Sequence, residues 1–345
     1  MEDWDEKNIR VKKSHINFKT LNNLLSLKLS ELNNALITLQ SEQKDASANQ
    51  IKKEIYSSGI NATFFELAQE HLDDLESTEK LNRLSTDKAW LSFIIKYHNS
   101  KQLSFQEIDE RFLKKLMLTL KVKYSLSETS IMNILVFVRL LFNRAIKYKI
   151  VSRELYPFGG DKIKIKFPET TKVGLNILEI QQIENLINLK PSEIHTRNVW
   201  LFSFNFAGMR VSDVLRTKWS DIYDNRLHYI MHKNAKLLSL KIPEKVLKIL
   251  DQYKDDKRSD DDFVFPELKK ADPENAKDLY NKRKTATKRF NDNLKSISKK
   301  AKINKKITMH IARHSFGNIA GDTIHPLMLQ KLYRHSDLKT TLNYQ

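Results

Sequence analysis

Residues 310–316 read His310-Ile311-Ala312-Arg313-His314-Ser315-Phe316. A histidine followed three residues later by an arginine is weak evidence alone. Two other stretches in the same half of the chain join it. Residues 206–215 read Phe206-Ala207-Gly208-Met209-Arg210-Val211-Ser212-Asp213-Val214-Leu215, followed by Lys218-Trp219-Ser220-Asp221-Ile222. Residues 332–344 read Leu332-Tyr333-Arg334-His335-Ser336-Asp337-Leu338-Lys339-Thr340-Thr341-Leu342-Asn343-Tyr344. Together they hold three arginines, three histidines and two tyrosines, an inventory that fits phosphoryl transfer. Two guanidinium groups can clamp the nonbridging oxygens of a phosphodiester and stabilise its developing charge. An imidazole can move a proton at neutral pH. A tyrosine hydroxyl can attack phosphorus and hold the phosphate covalently.

The composition narrows the partner. The 345 residues carry a formal net charge of +18, which points to a polyanion, nucleic acid first. Cysteine is absent, which excludes disulfide scaffolds, thiol nucleophiles and thiolate zinc sites. Only 7 glycines occur, and neither G-x-G-x-x-G nor G-x-x-x-x-G-K is present, so the common nucleotide-phosphate loops are missing. No unbroken run of 18 apolar residues occurs, and the acidic, polar start is not a secretory signal. A soluble, intracellular protein is expected.

Outward from the three stretches, the chain divides into four parts: residues 1–58, 59–155, 156–174 and 175–345. Residues 1–20 are charged with little pattern. Leu21, Leu25, Leu29, Leu32, Leu36 and Leu39 lie on one helix face, which suits either a coiled-coil partner or packing on its own protein or a neighbour. Residues 41–60 read as a linker. Residues 60–150 read as all-helical, with helices marked by Phe64 to Leu75, Trp90 to Tyr97, Ile108 to Leu120 and Thr129 to Tyr148. Tyr156-Pro157-Phe158-Gly159-Gly160 breaks the pattern, and 156–174 is expected to be a basic hinge whose Lys162, Lys164, Lys166 and Lys172 face a phosphate backbone. In the last part, a helix from Glu179 to Leu189 stopped by Pro191 and a buried helix from Arg197 to Phe206 are expected. Leu227, Tyr229 and Met231, then Leu238, Leu240 and Ile242, alternate as two short strands around a turn at 233–236. Val246 to Tyr253 is again a helix. Residues 254–285 are expected to be irregular, and Arg289 to Ile303 a basic helix.

The three stretches resemble the boxes of the tyrosine recombinases, the phage-integrase family of site-specific DNA recombinases, and most of all the integrases of bacterial mobile elements. Gly208 to Leu215 is similar to the first arginine box. His310-x-x-Arg313 is similar to the H-x-x-R box. His335, followed nine residues later by Tyr344, is similar to the end of the second box, and residues 59–155 resemble the core-site-binding domain. The resemblance implies a mainly α, two-domain DNA clamp with a small antiparallel sheet. It implies that Arg210 and Arg313 hold the scissile phosphate and that Tyr344 attacks it, forming a 3′-phosphotyrosyl link. Lys233 would protonate the leaving 5′ oxygen, His310 would serve as acid or base at the nucleophile, and His335 would hydrogen-bond a phosphate oxygen. Asp213 would support the arginine box. No metal or nucleotide is implied. The implied partners are double-stranded DNA, further copies in a tetramer on paired sites, and accessory DNA-bending proteins. The implied location is the bacterial cytoplasm, on DNA.

Alternatives stand beside these roles. Lys236 shares the turn with Lys233. Tyr333 is a rival nucleophile by composition, while Tyr344 has the family spacing. His314 is read as a packed core residue, and His195, His228, His232 and His325 as surface or packing residues. Three departures from the family pattern stand out. Arg334 occupies a position where the family usually has glycine, and it either disturbs the turn or adds a DNA contact. Only Gln345 follows Tyr344, and the start is expected to lack the small extra domain that many such integrases use to bind arm sites. Both ends lead to the expectation of a piece of a longer protein that self-assembles weakly. The expected function is cleavage and rejoining of DNA, integrating or excising a mobile element. A relaxing topoisomerase, or a DNA-binding protein of the same fold without cleavage, is the alternative.

Overall fold

A computed structural model describes residues 3–6, 8–41, 62–100, 102–169, 173–230, 237–321, 323–333, 337–338 and 341. The chain is mostly helical with two small antiparallel sheets and falls into two compact units, divided after Pro168.

The first unit begins with a hairpin of β1 (Trp4–Asp5) and β2 (Arg10–Val11), in which Trp4 faces Val11. Helix α1 (Phe18–Ser41) follows. Its Asn22 side chain accepts the Val11 N–H at 2.8 Å and donates to the Val11 carbonyl at 3.0 Å, fastening hairpin to helix. Strands of two residues are too short to show alternation, so the sequence carried no sign of the hairpin. Leu21, Leu24, Leu27 and Leu29 on α1 remain exposed.

Four helices then form a core of their own: α2 (Phe64–Ser77), α3 (Leu81–His98), α4 (Glu110–Val122) and α5 (Glu128–Lys147). The starts of α2, α4 and α5 are set by short polar caps. Thr63 and Glu66 form a capping box, Asp109 accepts the Phe112 N–H at 2.7 Å, and Ser127 accepts that of Ser130 at 3.2 Å. Helix α5 is long and apolar enough to cross a membrane, but its Ile131, Leu135, Val138, Leu141 and Phe142 are buried at the centre of this core. Edge-to-face rings run from Phe64 through Phe105 and Phe142 to Phe158.

That last ring changes the reading of the hinge. Phe158 and Ile163 are buried in the helical core, with Tyr156 and Ile165 packed against it. Gly159 and Gly160, both at positive φ, turn the chain back so that Phe158 pairs with Ile163. The beginning of the segment expected as a linker is therefore folded core, with Ile163 and Ile165 on its inner side and Phe167 exposed.

The second unit is built around α7 (Pro191–Asn205), whose Val199, Trp200 and Phe202 are buried. Before it, α6 spans Ile177–Glu184. Pro191 does not stop α6; it stands in the first turn of α7, where its missing N–H costs nothing. After α7 come α8 (Val211–Val214) and a three-stranded antiparallel sheet of β3 (Ile222–Tyr223), β4 (Arg226–Ile230) and β5 (Leu237–Lys241). Leu227 faces Leu240 and His228 faces Ser239.

Helix α9 (Glu244–Asp251) leads to α10 (Ala276–Lys300). Helix α10 starts well before the expected Arg289, capped by Asn275, whose side chain accepts the Asp278 N–H at 3.0 Å. Its apolar stripe is thin, Ala286, Phe290, Leu294 and Ile297, and the charges around it hid the first half from the sequence. Helices α11 (Ile311–Gly321) and α12 (Pro326–Tyr333) follow.

Candidate functional site

The described parts of the three stretches singled out in the sequence meet in this second unit. Ala207 and Gly208, at φ +54° and +65°, turn the chain out of α7. Arg210 then stands in extended conformation at the N-cap of α8. A Cβ on Gly208 would lie 2.4 Å from the Cα of Arg313. Glycine is therefore required here both by its backbone angle and by the closeness of the H-x-x-R helix. This contact brings the two arginine boxes, 103 residues apart in sequence, against each other.

Arg313 is buried, at 2 % exposure. It donates from Nη1 to the Gly208 carbonyl at 3.1 Å and from Nη2 to the Tyr333 carbonyl at 3.0 Å. Its guanidinium lies 3.8 Å from the centre of the Tyr333 ring, and the Tyr333 hydroxyl donates to the Arg313 backbone carbonyl. Two carbonyls and a ring thus fix the guanidinium plane. Tyr333 is fully buried and serves as the platform of Arg313.

His310 precedes α11 and is exposed. The turn that carries it is held from two sides. Trp200 Nε1 donates to the Thr308 carbonyl at 3.2 Å, and Asn291 Oδ1 accepts the Met309 N–H at 2.9 Å. The His314 ring packs edge-on against that of His310, with centroids 4.7 Å apart. Ser315 donates to the Ile311 carbonyl at 2.8 Å and accepts the Leu175 N–H at 2.9 Å, joining the start of this unit to the same helix.

Arg210, His310 and Arg313 line one cleft of about 350 Å³ with Thr287 and Asn291 of α10. None of its described lining residues is a carboxylate. The first turn of the 11-residue helix α11 begins beside it, where helix N–H groups favour an anion. Behind the box, Asp213 is buried at 5 % exposure. Burial depresses the Arg283 guanidinium and the Arg216 charge depresses it further, while Tyr280 and Asp213 oppose the shift. Asp213 thus sits among cations behind the cleft.

Lys233, His335 and Tyr344, together with Lys172 and Arg334, lie outside the described residues. The chain leaves α12 at Tyr333, whose carbonyl is bound by Arg313. Lys162, Lys164 and Lys166 are exposed residues of the first unit. Lys162 donates to the carbonyls of Tyr156 at 2.8 Å and Glu154 at 3.3 Å, which leaves it one proton for another contact. His195 is more than a packing residue: it bridges Tyr253 and Glu267, each at 2.8 Å. Thr287, Asn291 and the Tyr333 platform were not found from the sequence. A lone threonine or asparagine on a charged helix gives no signal until its neighbours across the cleft are known.

Comparison with known proteins places three family models along the chain. The Phage integrase family matches residues 175–345, the Phage integrase SAM-like domain residues 63–165, and the Arm DNA-binding domain residues 1–52. The last match corrects the expectation that the arm-site domain is missing; it covers the β1–β2 hairpin and α1. No curated protein matches the chain. Among solved structures, a lambda integrase dimer bound to a COC′ core site has a TM-score of 0.60 at 14 % identity, covering 90 % of this chain and 85 % of that one. A lambda integrase tetramer bound to a Holliday junction has a TM-score of 0.61 at 14 % identity, covering 99 % and 91 %. A Tn1549 transposon integrase in complex with transposon right end DNA has a TM-score of 0.59 at 14 % identity, covering 82 % and 94 %. At such identities the likeness is one of fold.

Proposed function

The chain belongs to the phage integrase family, the tyrosine recombinases, and on that premise we propose that it breaks and rejoins DNA at specific sites to integrate or excise a mobile element. The observation that carries the reading is the convergence of Arg210, His310 and Arg313 on one cleft without a described carboxylate. In this reading the two guanidinium groups hold the nonbridging oxygens of the scissile phosphate, and Arg313 is preorganised by its two carbonyl contacts. Tyr344 gives its proton to His310 as its oxygen bonds to phosphorus. The bond from phosphorus to the 5′ oxygen breaks, and Lys233 protonates that oxygen. His335 hydrogen-bonds a phosphate oxygen through the exchange. The 3′-phosphotyrosyl link conserves the bond energy, and attack by a 5′-hydroxyl reverses the step and rejoins a strand.

The partners follow from the same reading. They are duplex core sites bound by both units, a second class of DNA site bound by residues 1–52, further copies of the chain in a tetramer on paired sites, and accessory DNA-bending proteins. Lys162, Lys164, Lys166, Lys172 and Arg334 would contribute phosphate contacts.

The test is a nicked duplex, drawn from a pool of candidate core sites, in which cleavage traps the protein on DNA. A denaturant-resistant adduct is expected from the wild type and none from Tyr344→Phe. Arg210→Ala is expected to lower the adduct by about 100-fold or more. DNA binding without any wild-type adduct would instead support the binding-only alternative.

A further inference from the structure

Asn291 lines the cleft beside Arg210, His310 and Arg313, and the two ends of its amide have different surroundings. Its Oδ1 accepts the Met309 N–H at 2.9 Å. Only the oxygen can accept there, so this bond settles the amide's orientation. Its Nδ2 makes no hydrogen bond among the described residues. Thr287, one turn earlier on α10, gives its hydroxyl proton to the Arg283 carbonyl at 2.8 Å and has none left to donate. Asn291 is thus the neutral donor that α10 offers to an anion bound between the arginines.

We infer that Asn291 contacts the scissile phosphodiester: Nδ2 donates to a nonbridging oxygen, while Oδ1 holds the turn that carries His310. The inference rests on the recombinase reading above. A donor already fixed where negative charge develops needs no reorganisation during the reaction. The bond to Met309 supplies that fixation, and the same side chain links the phosphate position to the placement of the proton-transfer group.

The experiment uses Asn291→Asp in the full chain. The carboxylate keeps an acceptor for Met309 but sets a negative charge in place of the donor, so the thermal midpoint should stay within about 2 °C of wild type. Single-turnover adduct formation is measured on a duplex whose cleavage position has been mapped with the wild type, and on the same duplex with a neutral methylphosphonate there. The expected result is a loss of about 100-fold on the phosphodiester that shrinks at least about tenfold on the methylphosphonate. Relative affinity for the two duplexes, measured in Tyr344→Phe protein where no bond is cut, gives a second readout. There Asn291→Asp should shift preference toward the neutral duplex by about tenfold. Equal rates, equal losses on both duplexes, or an unchanged preference would overturn the inference and leave the recombinase reading standing. No wild-type adduct on any duplex would overturn that reading and the inference with it.

Discussion

Gly208 and Arg313 show how a single residue can hold the cleft together. The missing Cβ of Gly208 lets the two boxes touch, and its carbonyl accepts from Arg313. Gly208→Ala must relieve both a positive φ and a clash with backbone. A stability loss of about 1–3 kcal/mol is expected, together with an adduct yield reduced at least about 100-fold because Arg313 is displaced. Thermal unfolding and the trapped-adduct assay check the two parts. Tyr333→Phe should behave differently. It keeps the ring beneath Arg313 and loses only the hydroxyl that donates to the Arg313 carbonyl, so a cost of about 1–2 kcal/mol is expected. Adduct formation should persist in this variant, and its complete loss would favour Tyr333 as the nucleophile.

At the scale of elements, the packing of α7 on α10 contains an ion pair whose carboxylate is buried. Glu193, at 3 % exposure, accepts from Lys300 and Ser296 at 2.6 Å each and from the Lys190 N–H at 2.8 Å. Burial alone would raise its carboxyl, but these hydrogen bonds outweigh it and bring the pKa down to about 2 from an ordinary 4.5. A carboxyl held lower in the folded than in the unfolded state contributes stability that is complete above the unfolded value and lost as pH falls through the folded one. The wild type should therefore lose thermal stability between pH 4.5 and about 2. Glu193→Gln should be less stable by about 2 kcal/mol near neutral pH, with a shallower loss over the acid window. Parallel acid profiles for the two proteins would show that the pair does not contribute in this way.

For the whole molecule, the charge of +18 predicts how DNA is held. The logarithm of the affinity should fall linearly with the logarithm of salt concentration, the affinity itself dropping by about 10³-fold or more between about 50 and 200 mM. Titrations of a labelled duplex at several salt concentrations measure the slope. A flat dependence would remove phosphate contact as the main source of affinity. Charge reversal at Lys164 or Lys166, both exposed, should reduce the slope by about one for each phosphate that is no longer neutralised. Reversal at Lys162, already bonded to two carbonyls, should also disturb the local turn.

The sequence by itself determined the family resemblance and most of the helices. The order and spacing of Arg210, His310, Arg313 and Tyr344 are linear facts. Helical periodicity is equally local, so α2, α4 and α5 were legible from their apolar stripes. Tertiary structure decided whatever depends on residues far apart in the chain meeting. The closeness of Gly208 to Arg313, the platform role of Tyr333 and the pinning of the His310 turn by Trp200 and Asn291 leave no periodic trace, because each residue is ordinary within its own element. The N-terminal hairpin and the first half of α10 were hidden for a related reason. Two-residue strands cannot alternate, and a stripe of four buried residues is lost among the charges of a long helix. Periodicity reports which face of an element is buried; which partner covers that face is decided by three-dimensional packing.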